Sequence, residues 1–189
     1  MTTLSWTRDG RVFRAVEPDE ALVAAHAETL RDWYNLPANA QLMGNTVEMT
    51  TDDVLEYWAT VADRSARSFL LFVDGALAGD ADLRNIEHGR AEYAVMIGPL
   101  GLQGQGLGRT FSAMVHVFGF RVLGLERVYV ELKPENVRVH RMDLRLGYAP
   151  DHSPHARSLA EDPSAITMSI DRAAFERAQP EAMRDVIWS

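Results

Sequence analysis

The sequence contains no cysteine among its 189 residues. The chain can therefore form no disulfide and offers no thiol nucleophile, which excludes acyl transfer through a cysteine intermediate. No uninterrupted apolar run approaches the ~20 residues that a membrane-spanning helix needs, and residues 1–10 lack the apolar core of a signal peptide. We therefore expect a cytoplasmic protein.

Basic residues are also scarce. Lys and Arg total 19 against 27 Asp and Glu, which gives a formal net charge of −8. This balance repels nucleic acid and anionic membrane surfaces and attracts cationic ligands such as amines. An apolar fraction of 47% in 189 residues supports one well-buried core, so we expect a single domain spanning residues 1–189.

Hydrophobic patterning predicts alternating strands and helices. Asp74 and Gly75 are a strong hairpin signal between two apolar strands. Residues 149–164, which are rich in Pro, Ser, His and Asp, predict a long loop. The other predicted elements are a first strand at 11–16, helices at 19–34 and from Thr51 or Asp52 to 64, strands at 68–73 and 76–83, a buried helix at 106–123 ended by Gly124, a helix from Asn136 to Leu146 ended by Gly147, and a last strand at 166–170 before a helix capped by Asp171.

A glycine-rich turn lies between a predicted strand and the buried helix. Gly104, Gly106 and Gly108 alternate with larger residues, so several N–H groups can approach one anion closely. The following helix start adds free amides and a partial positive charge, and Arg109 adds a cation. A P-loop would need glycine at Gln103 and a lysine, and a dinucleotide-binding turn would need glycine at Arg109 or Phe111, so the spacing excludes both.

The turn matches Q/R-x-x-G-x-G/A, and on this motif the chain resembles the GNAT acyltransferases. Residues 91–98 and 128–132 resemble the fourth and fifth strands of that family, and Asn136 followed by Leu146, Gly147 and Tyr148 resembles the segment that closes its acyl-CoA site. The resemblance covers roughly residues 68–170. It implies an α+β GNAT fold with a mixed, mostly antiparallel sheet of about six to seven strands, helices on both faces, and strands four and five splayed.

The resemblance implies acetyl-CoA as the acetyl donor. The pyrophosphate would lie on the turn, and the pantetheine arm would lie along the fourth strand. The implied cofactor-binding residues are Val95, Met96, Ile97, Gln103, Gly104, Gln105, Gly106, Leu107, Gly108, Arg109, Thr110 and Asn136. The alternative is that the glycines only make a tight strand-to-helix turn.

The family often carries a carboxylate base on its fourth strand, and by this resemblance Glu92 is the candidate catalytic base. Glu131, at the end of the fifth strand, is the second candidate, and Asn136 would hold the pantetheine. Two alternatives stay open: Glu92 facing solvent beside an Arg, and Asn136 acting only as a helix cap. His116 and His140 are better explained as helix residues than as catalysts.

One position departs from the family pattern. Many relatives place a tyrosine acid seven residues after the asparagine, where this chain has Asp143. The resemblance still implies an N-acetyltransferase that transfers acetyl directly to a primary amine, either a polyamine- or aminoglycoside-like molecule or a protein N-terminus. The alternative is an acyl-CoA-binding module with weak or no catalysis. His152 and His155 lie three residues apart, but such residues in Pro-rich loops are commonly solvated, so we expect no metal. The resemblance is also compatible with a homodimer.

Overall fold

The computed structural model describes residues 1–43, 47–60, 65–160 and 162–189. These residues form one mixed sheet in the spatial order β7-β8-β6-β5-β4-β3-β2-β1-β9. The strands are β1 Thr3–Arg8, β2 Arg11–Val16, β3 Arg67–Val73, β4 Ala76–Glu87, β5 Arg90–Ile97, β6 Arg127–Leu132, β7 Ala149–Pro150, β8 Ile166–Asp171 and β9 Ile187–Trp188. The β5–β6 pair is parallel, and every other neighbouring pair is antiparallel.

Helices cover both faces of this sheet. The helices are α1 Glu20–Asn35, α2 Pro37–Met43, α3 Thr51–Thr60, α4 Leu107–Arg121, α5 Val137–Leu146, α6 Pro154–Ser158, α7 Arg172–Ala178 and α8 Pro180–Asp185. Helix α4 packs across β1, β2, β4 and β5 on one face. Helices α1 and α3 pack together over the other face, around Leu30, Val54 and Leu70. The predicted α+β architecture, a mixed and mostly antiparallel sheet with helices on both faces, is confirmed.

The sheet is larger than the sequence predicted. Among the described residues it has nine strands instead of six to seven. β1 alternates between polar Thr3, Ser5 and Thr7 and buried Leu4 and Trp6, so the signal of a half-buried strand was present and was overlooked. β7 and β9 are only two residues long, too short to show a period of two. The strand predicted first, at 11–16, is therefore β2. The strand predicted last, at 166–170, is β8, and β9 follows it. The predicted loop at 149–164 contains β7 and α6.

Several local predictions are confirmed. Asp74 and Gly75 both have positive φ, as a tight primed hairpin turn requires. Gly124 and Gly147 adopt the left-handed conformation after α4 and α5. Helix α3 begins at Thr51, but its cap is Thr50 and not Thr51 or Asp52. The Thr50 hydroxyl accepts a hydrogen bond from the backbone amide of Asp53, and the Asp53 carboxylate accepts one from the backbone amide of Thr50. The predicted end of this helix at residues 61–64 lies outside the described residues.

Helix α4 forms the centre of the larger core. Phe111, Met114 and Phe118 are fully buried against the sheet. The rings of Phe111 and Phe13 meet edge to face at 5.4 Å, and those of Phe118 and Phe69 meet at 5.3 Å. Because α4 follows the glycine turn directly, this packing fixes the position of the turn relative to the end of β5.

We expect Gly79→Ala to destabilise the sheet beside the turn. A Cβ on Gly79 would lie 1.9 Å from the Met96 carbonyl oxygen of β5, so the two strands would have to separate. The free energy of unfolding in urea should fall by about 3 kcal/mol. Gly101→Ala is the matched control, because nothing lies within 4 Å of the added Cβ. Equal stability of the two variants would contradict this packing.

Candidate active site

The glycine-rich turn connects β5 to α4. Gly104 and Gly106 have φ values of 82° and 83°, which glycine adopts at little cost. Nothing lies within 4 Å of a Cβ built on Gly106. Gly106 is the N-cap of α4 and provides no side-chain cap, and the first turn of α4 contains no acidic residue. The first amides of α4 are therefore available to an anion.

Gln103 holds this turn against the end of β5. Its side-chain amide donates to the Ile97 carbonyl at 2.8 Å and to the Asn39 side-chain oxygen at 3.0 Å. Asn39 in turn donates to the Gly98 carbonyl at 3.2 Å. The predicted Gln103 therefore lies at the site, where its amide fixes the backbone of the turn.

The side chains of the remaining predicted residues of the turn differ in their burial and hydrogen bonding. The Leu107 side chain is part of the core, and buried Thr110 donates through its hydroxyl to the Gly106 carbonyl at 3.4 Å. Gln105 is exposed, and its side-chain amide donates to the Gly101 carbonyl at 2.7 Å. Arg109 is half-buried. Main-chain groups are therefore the principal ligands that this turn can offer.

Helix α5 forms the second wall beside the turn. A Cβ on Gly108 would lie 3.2 Å from Met142 Sδ, and one on Gly104 would lie 4.0 Å from a guanidinium nitrogen of Arg138. The exposed Arg138 therefore adds a cation next to the predicted phosphate site. Sequence analysis missed this residue, although its place two residues after Asn136 put it on the helix that the motif predicted.

Strands β5 and β6 diverge next to this turn. Their register pairs only Arg90, Ala91 and Glu92 with Arg127, Val128 and Tyr129. Beyond Glu92, β5 keeps its pairing with β4, and beyond Tyr129, β6 keeps its pairing with β8. Val95, Met96 and Ile97 are half-buried at the edge of the gap. The predicted splay is confirmed, and a pantetheine arm along these residues stays a prediction.

The predicted catalytic carboxylates lie on either side of this gap. Glu92 is half-buried at the last β5–β6 pair and accepts a short hydrogen bond from the Asn85 side-chain amide. Glu131 is half-buried on β6, two residues beyond Tyr129, so it points to the same face of the sheet as Tyr129. Both carboxylates therefore face away from α4.

Two further carboxylates on this face were missed by sequence analysis. Asp80 and Asp82 alternate along β4, opposite Met96 and Ala94 of β5. The Tyr34 hydroxyl donates to Asp80 at 2.7 Å, and the Tyr57 hydroxyl donates to Asp82 at 3.2 Å. Burial, with the charge of Asp82, raises the pKa of Asp80 to about 7, and burial also raises the pKa of Asp82. Two aspartates two residues apart in the otherwise apolar first part of β4, residues 76–83, were the available signal.

Asn136 lies at the start of α5, and Asp143 lies within this helix. Asn136 caps this helix, since its side-chain oxygen accepts from the Val139 amide at 3.3 Å. Asp143 is only 1% exposed, and this burial raises the pKa of its carboxyl to about 7. The sequence alone gave no sign of apolar surroundings for Asp143, and the fold supplies them.

The histidines occupy ordinary structural positions. His116 is fully buried, and burial lowers its pKa to about 4. His140 is half-buried on α5, and the ring of His155 meets that of Tyr129 at 4.8 Å. Within the described ranges, no group of three or more His, Asp and Glu side chains is placed to hold a metal ion.

Comparison with known protein families identifies the family of this chain. Residues 12–149 match the family model described as an acetyltransferase (GNAT) domain. The chain belongs to the GNAT acetyltransferase family. It is therefore an enzyme of the acyltransferase class.

The curated relatives include spermidine N(1)-acetyltransferase of Escherichia coli (strain K12), which is 31% identical over 128 residues, covering 65% of this chain and 68% of the relative. Among solved structures, Mycobacterium smegmatis RimJ in complex with CoA-disulfide has a TM-score of 0.77 at 14% identity, covering 100% of this chain and 97% of that one. Vibrio cholerae spermidine N-acetyltransferase in complex with CoA and spermine has a TM-score of 0.71 at 18% identity, covering 89% and 99%. In the described part of this chain, no helix is long and apolar enough to cross a membrane.

We expect Gly106→Asp to abolish acetyl-CoA binding while the fold survives. The new carboxylate would occupy the open space beside the α4 amides and repel a pyrophosphate. Gly106→Asn is the matched control, because asparagine has nearly the same shape, tolerates positive φ and carries no charge. Isothermal titration calorimetry should show much weaker binding for the aspartate variant than for the asparagine variant. Equal affinities would contradict this position for the pyrophosphate.

We also expect Asp80→Asn to change the pH dependence of stability. Because the native pKa of Asp80 is raised to about 7, between about pH 4 and 7 the unfolded state has lost a proton that the native state still holds. This group therefore lowers stability as the pH rises through that window, and its contribution is constant below about pH 4. Urea unfolding should show that the stability of the variant, relative to wild type, rises from pH 4 to pH 8. A constant difference would contradict the raised pKa.

Proposed function

We propose that this protein is an acetyl-CoA-dependent N-acetyltransferase that moves an acetyl group directly to a primary amine of a small cationic molecule, such as a polyamine or an aminoglycoside. A protein N-terminus is the other acceptor that the family resemblance allows. In this proposal residues 1–189 act as one catalytic domain, with no covalent enzyme intermediate and no metal. The absence of cysteine from the chain supports direct transfer.

The observation that carries the proposal is the separation of charged groups around the gap between β5 and β6. The turn beside the gap offers main-chain amides with Arg109 and Arg138, which suits the phosphates of acetyl-CoA. The face of the sheet away from α4 carries Asp80, Asp82, Glu92 and Glu131. Carboxylates on that face favour a substrate with ammonium groups.

The roles follow from these positions. Val95, Met96 and Ile97 would hold the pantetheine arm, and residues 103–110 would hold the phosphates with Asn136 nearby. Asp82, which is partly exposed, would attract the substrate's ammonium groups. Glu92 would accept the proton of the attacking amine, directly or through water, and Glu131 across the gap is the second candidate for this role.

Location and assembly complete the proposal. We infer a cytoplasmic enzyme that forms a homodimer. The edge strand β9 supports a contact between copies, because its Ile187 and Trp188 side chains are 67% and 40% exposed. Sedimentation at several protein concentrations measures the assembly state, and a monomer throughout would contradict it.

An amine panel tests the proposed function. Purified protein is mixed with acetyl-CoA and with spermidine, an aminoglycoside, a peptide with a free N-terminus or an anionic amine, and thiol release is measured. We expect the cationic small amines to give the highest kcat/KM and that advantage to shrink as the salt concentration rises. Preference for the anionic amine would contradict the acidic acceptor face. Tight acetyl-CoA binding with no thiol release from any amine would favour a non-catalytic binding module.

We expect Glu92→Gln to lower kcat most strongly near neutral pH, by about 10²-fold, because a general base contributes that order of rate. Acetyl-CoA affinity should hardly change. Glu181→Gln on the exposed side of α8 is the control for loss of one negative charge, and its kcat should match wild type. A rate profile of Glu92→Gln identical to wild type would move the role to Glu131 or to water.

A further inference from the structure

Strand β4 contains an extra residue where it passes Glu92. Its pairing with β5 is one to one over residues 79–84, where Arg84 lies opposite Glu92, but the next pair is Glu87 with Arg90. Three steps along β4 therefore match two steps along β5, which is a β-bulge. A bulge changes the direction in which a side chain of the strand points.

The bulge brings the Asn85 side chain to the face of the sheet that carries Glu92. Leu83 lies in the core against α4, so strand alternation alone would place residue 85 on that side as well. Instead Ile86 packs against this core, and its backbone amide donates to the Ser65 carbonyl at 2.9 Å. Asn85 has a positive φ of 51°, a conformation that asparagine adopts more readily than most residues. Its side chain therefore lies on the opposite face, beside Glu92.

Asn85 holds one oxygen of the Glu92 carboxylate. Its side-chain amide donates a short hydrogen bond to Glu92 Oε1. In the described part of the chain Glu92 forms no ion pair, and Arg84 opposite it on β4 is exposed. The partner of Glu92 is therefore a neutral amide and not an arginine.

A neutral partner suits a carboxylate that has to accept a proton. The hydrogen bond fixes the orientation of the carboxylate, but an amide brings no positive charge, and a nearby positive charge would weaken the carboxylate as a base. The amide of Asn85 also occupies only Oε1. Among the described residues, no hydrogen-bond donor contacts the other oxygen, Oε2, which is left to accept a proton.

This hydrogen-bonded pair lies at the start of the gap in the sheet. Glu92 belongs to the last β5–β6 pair, opposite Tyr129. A cavity of about 20 Å³ adjoins it, and Asn85, Glu92, Tyr129 and His155 line part of its wall. This volume is enough for one water molecule, which fits proton transfer through water as well as direct transfer. The other charged or titratable groups around the pair are Asp82, Arg84 and Glu87 of β4, Arg90 of β5, Tyr129 and Glu131 of β6, and His155 of α6.

Building on the proposed function, we propose that Asn85 is a positioning residue for the catalytic base, whose amide holds the Glu92 carboxylate in a fixed orientation at the start of the gap. In the transfer the amine nitrogen bonds to the thioester carbonyl carbon and its proton passes to Glu92. The C–S bond breaks and leaves its electron pair on sulfur. The products are the amide, protonated Glu92 and the coenzyme A thiolate, so charge is conserved and Asn85 exchanges no proton.

The first test compares Asn85→Gly in two backgrounds. Glycine adopts positive φ freely, so the bulge persists while the amide is lost. With an amine that the panel has identified, Asn85→Gly should lower kcat about 10-fold, because a hydrogen bond to a charged group contributes a factor of that order, and acetyl-CoA affinity should not change. In the Glu92→Gln protein the same substitution should hardly alter kcat, because the group that Asn85 positions is already gone. An equal fall in both backgrounds, or no fall in the wild-type background, would overturn the proposal.

Two further variants separate positioning from folding. His88→Gly is the matched control, because His88 is exposed and has a φ of 48° in the turn of the same hairpin, and its kcat should match wild type. Asn85→Asp keeps the shape and tolerates positive φ, but it replaces the donor with a second carboxylate. Its kcat should fall below that of Asn85→Gly, most strongly at low pH, because a neighbouring negative charge disfavours the ionised form of Glu92. A wild-type rate for Asn85→Asp at every pH would contradict the proposal.

A measurement without substrate tests the hydrogen bond itself. The side-chain NH₂ signals of Asn85 in the NMR spectrum are identified by their absence from Asn85→Gly. In wild type they should shift as acid protonates Glu92, and in Glu92→Gln they should stay constant over the same pH range. Constant signals in wild type would overturn the proposal. If wild type acetylates no amine, the proposed function fails and the catalytic role of Asn85 fails with it, while this titration still decides whether Asn85 holds the Glu92 carboxylate.

Discussion

The divergence of β5 and β6 is the constraint on which the rest of the site depends. Unpaired backbone groups in a sheet need another partner, and a ligand that lies along the strand can supply it. The gap stays open because each strand keeps its ladder on the outer side, β5 with β4 and β6 with β8. The opening is therefore built into the sheet register and does not depend on a surface loop.

Positive and negative groups occupy different places around this gap, although the chain as a whole is acidic. Glycine amides, Arg109 and Arg138 lie at the turn, whereas four carboxylates lie on the face away from α4. Because burial raises the pKa of Asp80 and Asp143 to about 7, two of the buried acids change charge near neutral pH. Holding these acids in buried positions costs the native state stability as the pH rises through neutrality.

Sequence reasoning succeeded where the physical cause is local. The alternating glycines, the Asp74–Gly75 hairpin and the Asn136 cap each specify the conformation of a few neighbouring residues, and the structure confirms those conformations. Sequence reasoning missed Asp80 and Asp82 because their tyrosine partners come from α1 and α3, far away in the sequence. The burial of Asp143 likewise depends on α4, α5 and β5 packing together, which no single segment specifies.

Amide hydrogen exchange with and without coenzyme A tests the central claim most directly, because it measures the backbone groups themselves. The account predicts that coenzyme A slows exchange at the amides of residues 104–109 and 95–97, with little change in β1, β2 and β9. Slowed exchange confined to other segments, or no change at residues 104–109, would contradict the assignment of this turn and gap to the acyl donor.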